Sequence, residues 1–136
     1  AQDRLPLERI KRATPALEAS EDVYTNHIHA DDLARLIKLA LYRAKPQRVL
    51  NACDDSQMKM GDYFDAVADT FQLPRPPRVS KKELEARIDP MMLSFMSESR
   101  QIQNQRLREL RFRLQYPTVQ DYLSFTSKYL LSQHND

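Results

Sequence analysis

The stretch Tyr24-Thr25-Asn26-His27-Ile28-His29-Ala30-Asp31-Asp32-Leu33-Ala34-Arg35-Leu36-Ile37-Lys38-Leu39-Ala40-Leu41-Tyr42-Arg43-Ala44 decides how the chain is read. Thr25 to Ala30 alternates as a short strand does. Leu33, Leu36, Ile37, Ala40, Leu41 and Ala44 then recur at spacings of three and four, the period of an amphipathic helix. Asp31 and Asp32 stand at the changeover. A carboxylate there accepts from the free amides of a first turn and suits the positive end of the helix dipole. The expectation is a strand, an aspartate cap and a helix.

Working outward, Pro46 closes the helix, and Arg48-Val49-Leu50-Asn51-Ala52-Cys53 follows as a short apolar run bounded by Asp54-Asp55-Ser56. It reads as a buried strand, and a strand, helix, strand order of this length favours parallel pairing. Upstream, Leu5 or Pro6 to about Ala13 reads as a short helix ended by Pro15, with Pro6 suited to a first turn. Downstream, Met60, Tyr63, Phe64, Val67, Ala68 and Phe71 keep the helical period from Met60 to Leu73. Pro74, Pro76 and Pro77 interrupt it. Residues 74–79 are expected to be an extended connector, with a ligand for a proline-binding domain as the sharper alternative.

Ser80-Lys81-Lys82-Glu83 has the capping-box pattern and starts a helix towards Ile88. Asp89-Pro90 restarts a helical piece carrying Met91, Met92, Leu93, Phe95 and Met96. That run is either ordinary packing surface or an adaptable wall for a ligand. A helix over Asn104 to Leu110, a strand-like Phe112 to Tyr116 and a last helix from Thr118 to about Ser132 follow. In that last helix Val119, Tyr122, Leu123, Thr126, Tyr129 and Leu130 form the apolar face. Residues 133–136 read as a frayed tail.

Composition narrows the function classes. A chain of 136 residues with 41% hydrophobic content is expected to make one domain over 1–136. The net charge of +2 gives no bias towards nucleic acid, and no apolar run approaches the roughly 20 residues of a membrane span. With a single cysteine, no signal-peptide pattern and no internal disulfide, a cytoplasmic setting is expected. Gly61 is the single glycine, so neither a glycine-rich dinucleotide loop nor a Walker loop is encoded. The abrupt entry into a helical pattern suggests an upstream portion.

Several residues carry candidate chemistry. His27 and His29 fall on one face of the expected strand with Asp31 and Asp32 just beyond, a donor set that zinc or iron accepts. The plainer account is one histidine packed or hydrogen-bonded locally, with the aspartates capping the helix. Cys53 is either a nucleophile or a small core residue. Arg100, Arg106, Arg108, Arg111 and Arg113 suit a phosphate, or else form a solvated face balanced by Glu98 and Glu109.

The run Tyr24 to Ala34, the Val49-Leu50-Asn51-Ala52 strand about fifteen residues later, and Met60-Gly61-Asp62-Tyr63-Phe64 resemble the C-terminal half of NAD-dependent epimerase/dehydratase enzymes, the extended short-chain dehydrogenases/reductases. Ser99-Arg100 through Asn104, Arg106-Leu107, Glu109-Leu110 and Leu114-Gln115-Tyr116-Pro117-Thr118 resemble that family's closing segment. The resemblance implies an α/β fold, mainly helical with a small, partly parallel sheet, as the substrate-binding portion of an extended Rossmann-type enzyme. It implies NAD or NADP in a parent enzyme and none for this chain alone. It also implies a small-molecule substrate such as a nucleotide-linked sugar, a missing nucleotide-binding half, and a homodimer as one way to cover the exposed face. None of the six tyrosines has lysine four positions on, so the family's tyrosine and lysine pair is not here. Substrate contacts implied are Arg100, Thr25, Asn26, Arg4 and Met96, with no catalytic or metal residue. Two departures stand out. Many sugar-nucleotide members carry arginine where Thr25 stands, and Arg111 and Tyr122 replace common glycines.

Overall fold

The computed structural model describes residues 4–133, so the tail at 134–136 lies outside the described residues. In chain order the elements are α1 (Leu7–Lys11), β1 (Ala16–Leu17), β2 (Tyr24–Thr25), α2 (Ala30–Arg43), β3 (Met58–Lys59), α3 (Met60–Thr70), β4 (Arg78–Val79), α4 (Lys81–Glu85), α5 (Pro90–Ser97), a 3-10 helix (Gln105–Leu110) and α6 (Val119–Gln133). This is a small α/β arrangement, about half helical. β1 pairs in parallel with β4, Ala16 opposite Arg78, and β2 pairs antiparallel with β3, Tyr24 opposite Lys59.

The core is built around α3, whose two ends serve two clusters. Met60 and Phe64 join Ala16, Leu17, Val23, Leu84 and Met96, while Val67 and Ala68 join Ile10, Val119 and Leu123. The helical spacing read from Met60 to Phe71 is what allows this. A smaller third cluster gathers Leu36, Leu107 and Leu110.

Several local expectations change. The strand expected over Thr25 to Ala30 is only Tyr24–Thr25, and residues 26–29 are extended without a ladder. The parallel pair is β1 with β4, not that stretch with 48–53; next to 48–53, Asp54 N–H donates to His27 C=O at 2.6 Å. Arg48 to Cys53 forms no assigned strand, and Val49 is exposed. Such a run gains ladder bonds only from a neighbouring strand, and none of the described residues supplies one. The connector expected at 74–79 ends in β4, and 112–116 is a bend rather than a strand. Gln105–Leu110 winds as 3-10 and stops at Arg111, whose φ of 53° breaks the helical path. Tyr129 and Leu130 of the expected α6 face lie outside the residues whose side chains are described.

The caps were legible in part. Ser80 and Glu83 form the reciprocal capping box of α4, and Asp89 caps α5 ahead of Pro90. For α2 the cap is His29 rather than either aspartate: its Nδ1 accepts from Asp31 N–H at 3.2 Å. Of the expected apolar face of α2, Leu36 is buried, but Ile37 and Leu41 are 55% and 79% exposed. No helix of the described residues is long and apolar enough to cross a membrane.

Gly61 has a steric reason. Arg78 reaches from β4 to the start of α3, donating to Leu17 C=O at 2.9 Å, Asp22 at 3.2 Å, Asp62 at 3.1 Å and Asp65 at 2.8 Å. A Cβ on Gly61 would lie 1.7 Å from Arg78 Nη1. The glycine therefore makes room for a guanidinium that ties both strands of the parallel pair and α3 together. Gly61→Ala is expected to displace Arg78 and lower the unfolding free energy by about 1–3 kcal/mol, in the range of overpacked sites. Urea denaturation of the variant checks this; an unchanged midpoint would show that Arg78 moves aside freely.

Candidate functional site

A cavity of about 250 Å³ opens where the extended 26–29 segment, the 54–56 turn, α3 and the start of α6 meet. His27, His29, Asp54, Tyr63, Tyr116 and Tyr122 line it, with Arg4, Asn26 and Thr118 also contributing. Each of these side chains is placed by a local device. Asn26 donates from Nδ2 to Arg100 C=O at 2.7 Å and accepts at Oδ1 from Ile102 N–H at 2.9 Å, so 26–29 is held straight against 100–102. Residues 27 and 29 then fall on the same side. His27 packs on Tyr63 with ring centroids 4.2 Å apart, and His29 packs on Tyr116 and Tyr122 at 4.3 and 4.5 Å.

Tyr116 is held by Asp32, which is fully buried. Asp32 accepts from Gln115 N–H at 2.9 and 3.0 Å, from Tyr116 N–H at 2.9 Å and from Arg35 at 2.6 Å. The 54–56 turn is locked in a similar way. Asp54 Oδ1 accepts from Ser56 N–H at 2.9 Å, Ser56 Oγ accepts from Val119 N–H at 2.9 Å, and Asp55 N–H donates to Pro117 C=O at 2.8 Å. The mouth of α6 and the turn carrying Asp54 are thus one hydrogen-bonded unit.

The electrostatics of the cavity follow from burial. Desolvation drops His27 to about 4, so its imidazole is neutral near pH 7, and its Nε2 is buried without a hydrogen-bond partner among the described residues. Burial also lowers His29. Asp54 is only 5% exposed, and burial, opposed by its bonds to Ser56, raises it to about 6. Desolvation lifts Tyr63 to about 12, keeping its hydroxyl protonated. Aromatic rings, a neutral imidazole and a buried carboxyl together suit recognition of a small polar molecule.

The sequence candidates separate cleanly. Arg4 and Asn26 line the cavity, although both oxygen and nitrogen of the Asn26 amide are engaged by the chain itself. Thr25, Met96 and Arg100 do not line it. Thr25 sits in β2 opposite Met58, Met96 is buried in the α3 cluster with its sulfur accepting from Arg9, and Arg100 is exposed and paired with Glu98. Asp54, Tyr63, Tyr116 and Tyr122 were not singled out by sequence; Asp54 read as a strand boundary and the tyrosines as helix or strand faces. His27 and His29 meet as expected, but the described residues contain no group of three or more His, Cys, Asp or Glu placed to hold a metal ion. Cys53 is buried, and burial raises its thiol, which removes the thiolate a nucleophile needs. The arginine cluster divides: Arg106 donates to Val49 C=O, while Arg108, Arg111 and Arg113 line one separate cavity of about 600 Å³.

No protein-family model and no curated protein matches the chain. Among solved structures, a functionally unknown conserved protein from Silicibacter pomeroyi DSS is similar, with a TM-score of 0.73 and 29% sequence identity. The likeness covers 86% of this chain and 41% of that one, so the chain spans less than half of the solved relative's length.

The two cavity groups oppose each other in pH dependence. Asp54 is raised on folding, so the native state holds the extra proton and stability falls as pH rises from about 4 to 6. His27 is lowered on folding, so the unfolded state holds the extra proton and stability rises from about 4 to 6.5. Asp54→Asn keeps the acceptor for Ser56 N–H and removes the falling contribution. Its unfolding free energy is expected to climb relative to the parent by roughly 2–3 kcal/mol between pH 4 and 6.5, from shifts of about two units. Denaturant titrations at several pH values test this, and parallel pH profiles for the two proteins would refute the burial of Asp54.

Proposed function

We propose that this chain is the substrate-binding segment of an NAD(P)-dependent epimerase, dehydratase or reductase, and that its cavity receives the reacting small molecule. The observation that carries the reading is the uncovered apolar side of α2. Ile37, Leu41 and Tyr42 are exposed, and so is Val49, which lies in a run with the composition of a buried strand but no ladder. An apolar helix face and an apolar run left without a ladder are what an absent layer of an α/β sheet would leave behind. A nucleotide-binding half seated there would complete the sheet; a second copy of the chain is the other way to cover it.

Further support comes from local structure. Arg111 takes a left-handed φ of 53°, a conformation that favours glycine, at a position where the resemblance expects glycine. The similar Silicibacter protein is more than twice as long as the part matched. Chemistry on the nicotinamide would belong to the other half, since this chain does not fit a dinucleotide. Its one glycine abuts Arg78, and the amide of that glycine at the start of α3 already donates to Asp22 at 3.0 Å. What the chain's own residues supply is position: Asp32 fixes Tyr116, Asn26 braces the segment that carries the histidines, and the cavity they line would hold the substrate.

A second reading, a protein-interaction module, draws on α5, where Met91 and Phe95 are 81% and 68% exposed. Met96 turns instead into the core and the proline connector is partly consumed by β4, which leaves that surface smaller than the sequence suggests. The substrate-segment reading predicts no micromolar affinity for NAD or NADP in the 136-residue chain alone. Isothermal titration calorimetry decides it: absence of binding heat is the expected result, and a micromolar Kd would overturn the division of labour.

A further inference from the structure

We infer that the cavity between α3 and α6 binds a small primary amine in its ammonium form, held by Asp54 and His27. The inference deepens the reading of this cavity as the substrate pocket and rests on it. Asp54 is buried, and its Oδ1 accepts from Ser56 N–H. Ser56 is the residue that bonds this carboxyl, and none of the ion pairs among the described residues gives it a cation. A buried carboxylate without a cation carries a desolvation cost that a bound ammonium removes.

The second acceptor is independent of the first. His27 Nε2 is buried, faces no protein partner and belongs to the same cavity lining. In a neutral imidazole one ring nitrogen is a lone-pair acceptor, so a primary ammonium, with three donors, can serve His27 and Asp54 together. Both groups sit among the rings of Tyr63, Tyr116 and Tyr122, whose negative faces favour a cation over an anion. The surroundings also select by charge. Asp32 and Asp55 add negative potential at Asp54, His27 and His29 are neutral near pH 7, and Arg4 is the cationic side chain among the described lining residues. A phosphate or carboxylate would meet Asp54 with like charge.

The volume sets the size. About 250 Å³ lies below the roughly 300–1,000 Å³ of sites for drug-sized ligands, which fits a short alkylamine or the amine end of a larger substrate.

The test uses the 136-residue chain with butylammonium and its neutral counterpart, butanol, followed by imidazole and amide chemical shifts in NMR titrations. Butylammonium is expected to perturb His27, Asp54 and Tyr63 saturably, with butanol at least tenfold weaker. Asp54→Asn is expected to weaken butylammonium at least tenfold while leaving the remaining spectrum folded. Tyr63→Phe, which keeps the ring, is expected to retain binding within about threefold. Equal affinity for butanol, or no saturable response to butylammonium in the folded chain, overturns the inference. Calorimetry with NAD on the same sample separates it from the functional reading. NAD binding beside butylammonium binding defeats the division of labour alone, whereas a chain that binds neither defeats the amine assignment alone.

Discussion

A single carboxylate organises the part of the molecule that matters most. Asp32 has no solvent exposure, yet it stands in the first turn of an otherwise half-covered helix. Such a charge is tolerated only if its oxygens are fully engaged, and here two backbone amides from Gln115 and Tyr116 and the Arg35 guanidinium do so. Hydrogen bonds to a charged acceptor are worth about 1.5–3 kcal/mol each before the desolvation cost is set against them. The Arg35 side chain is half exposed, so the two amides carry more of the stabilisation than the ion pair does. The consequence is topological: the entry to α2 is fastened to a segment more than eighty residues later, and that fastening presents Tyr116 to the cavity.

Much of this was legible in the sequence as local pattern and little of it as long-range contact. The helical period from Met60 to Phe71 and the Ser80 to Glu83 box are statements about neighbours in the chain, and the structure keeps them. The aspartates at 31 and 32 misled for the same reason. Both have the chemistry of a cap, and nothing within a few residues reveals that His29 caps the helix while Asp32 is taken by residues 115 and 116. The strand over 48–53 shows the opposite failure. Its composition is that of a buried strand, but ladder bonds depend on a partner, and among the described residues it touches the rest through isolated contacts such as Asn51 to Gln103.

The cavity was half legible. His27 and His29 were visible as a pair because alternate residues of an extended segment share a side. Arg4 and Asn26 also fall at the cavity, though Asn26 acts mainly as a brace for 100–102. Asp54 was hidden because its significance comes from burial, and a carboxylate in Asp54-Asp55-Ser56 looks like any polar turn. Arg100 attracted attention as a charge, but an exposed guanidinium beside Glu98 is satisfied where it stands. Residue type suggested the chemistry; only packing shows which polar groups are left wanting a partner.

The central claim is that the cavity side is firmly tied by hydrogen bonds while the apolar residues of α2 and Val49 stand exposed. Hydrogen exchange resolved to single amides tests it most directly. Amides of Gln115 and Tyr116, bonded to Asp32, are expected to exchange near the rate of global unfolding, and those of Val49 and Leu50 orders of magnitude faster. Fast exchange at 115 and 116, or protection at 49 and 50 equal to the core of α3 in the monomeric chain, would contradict the account.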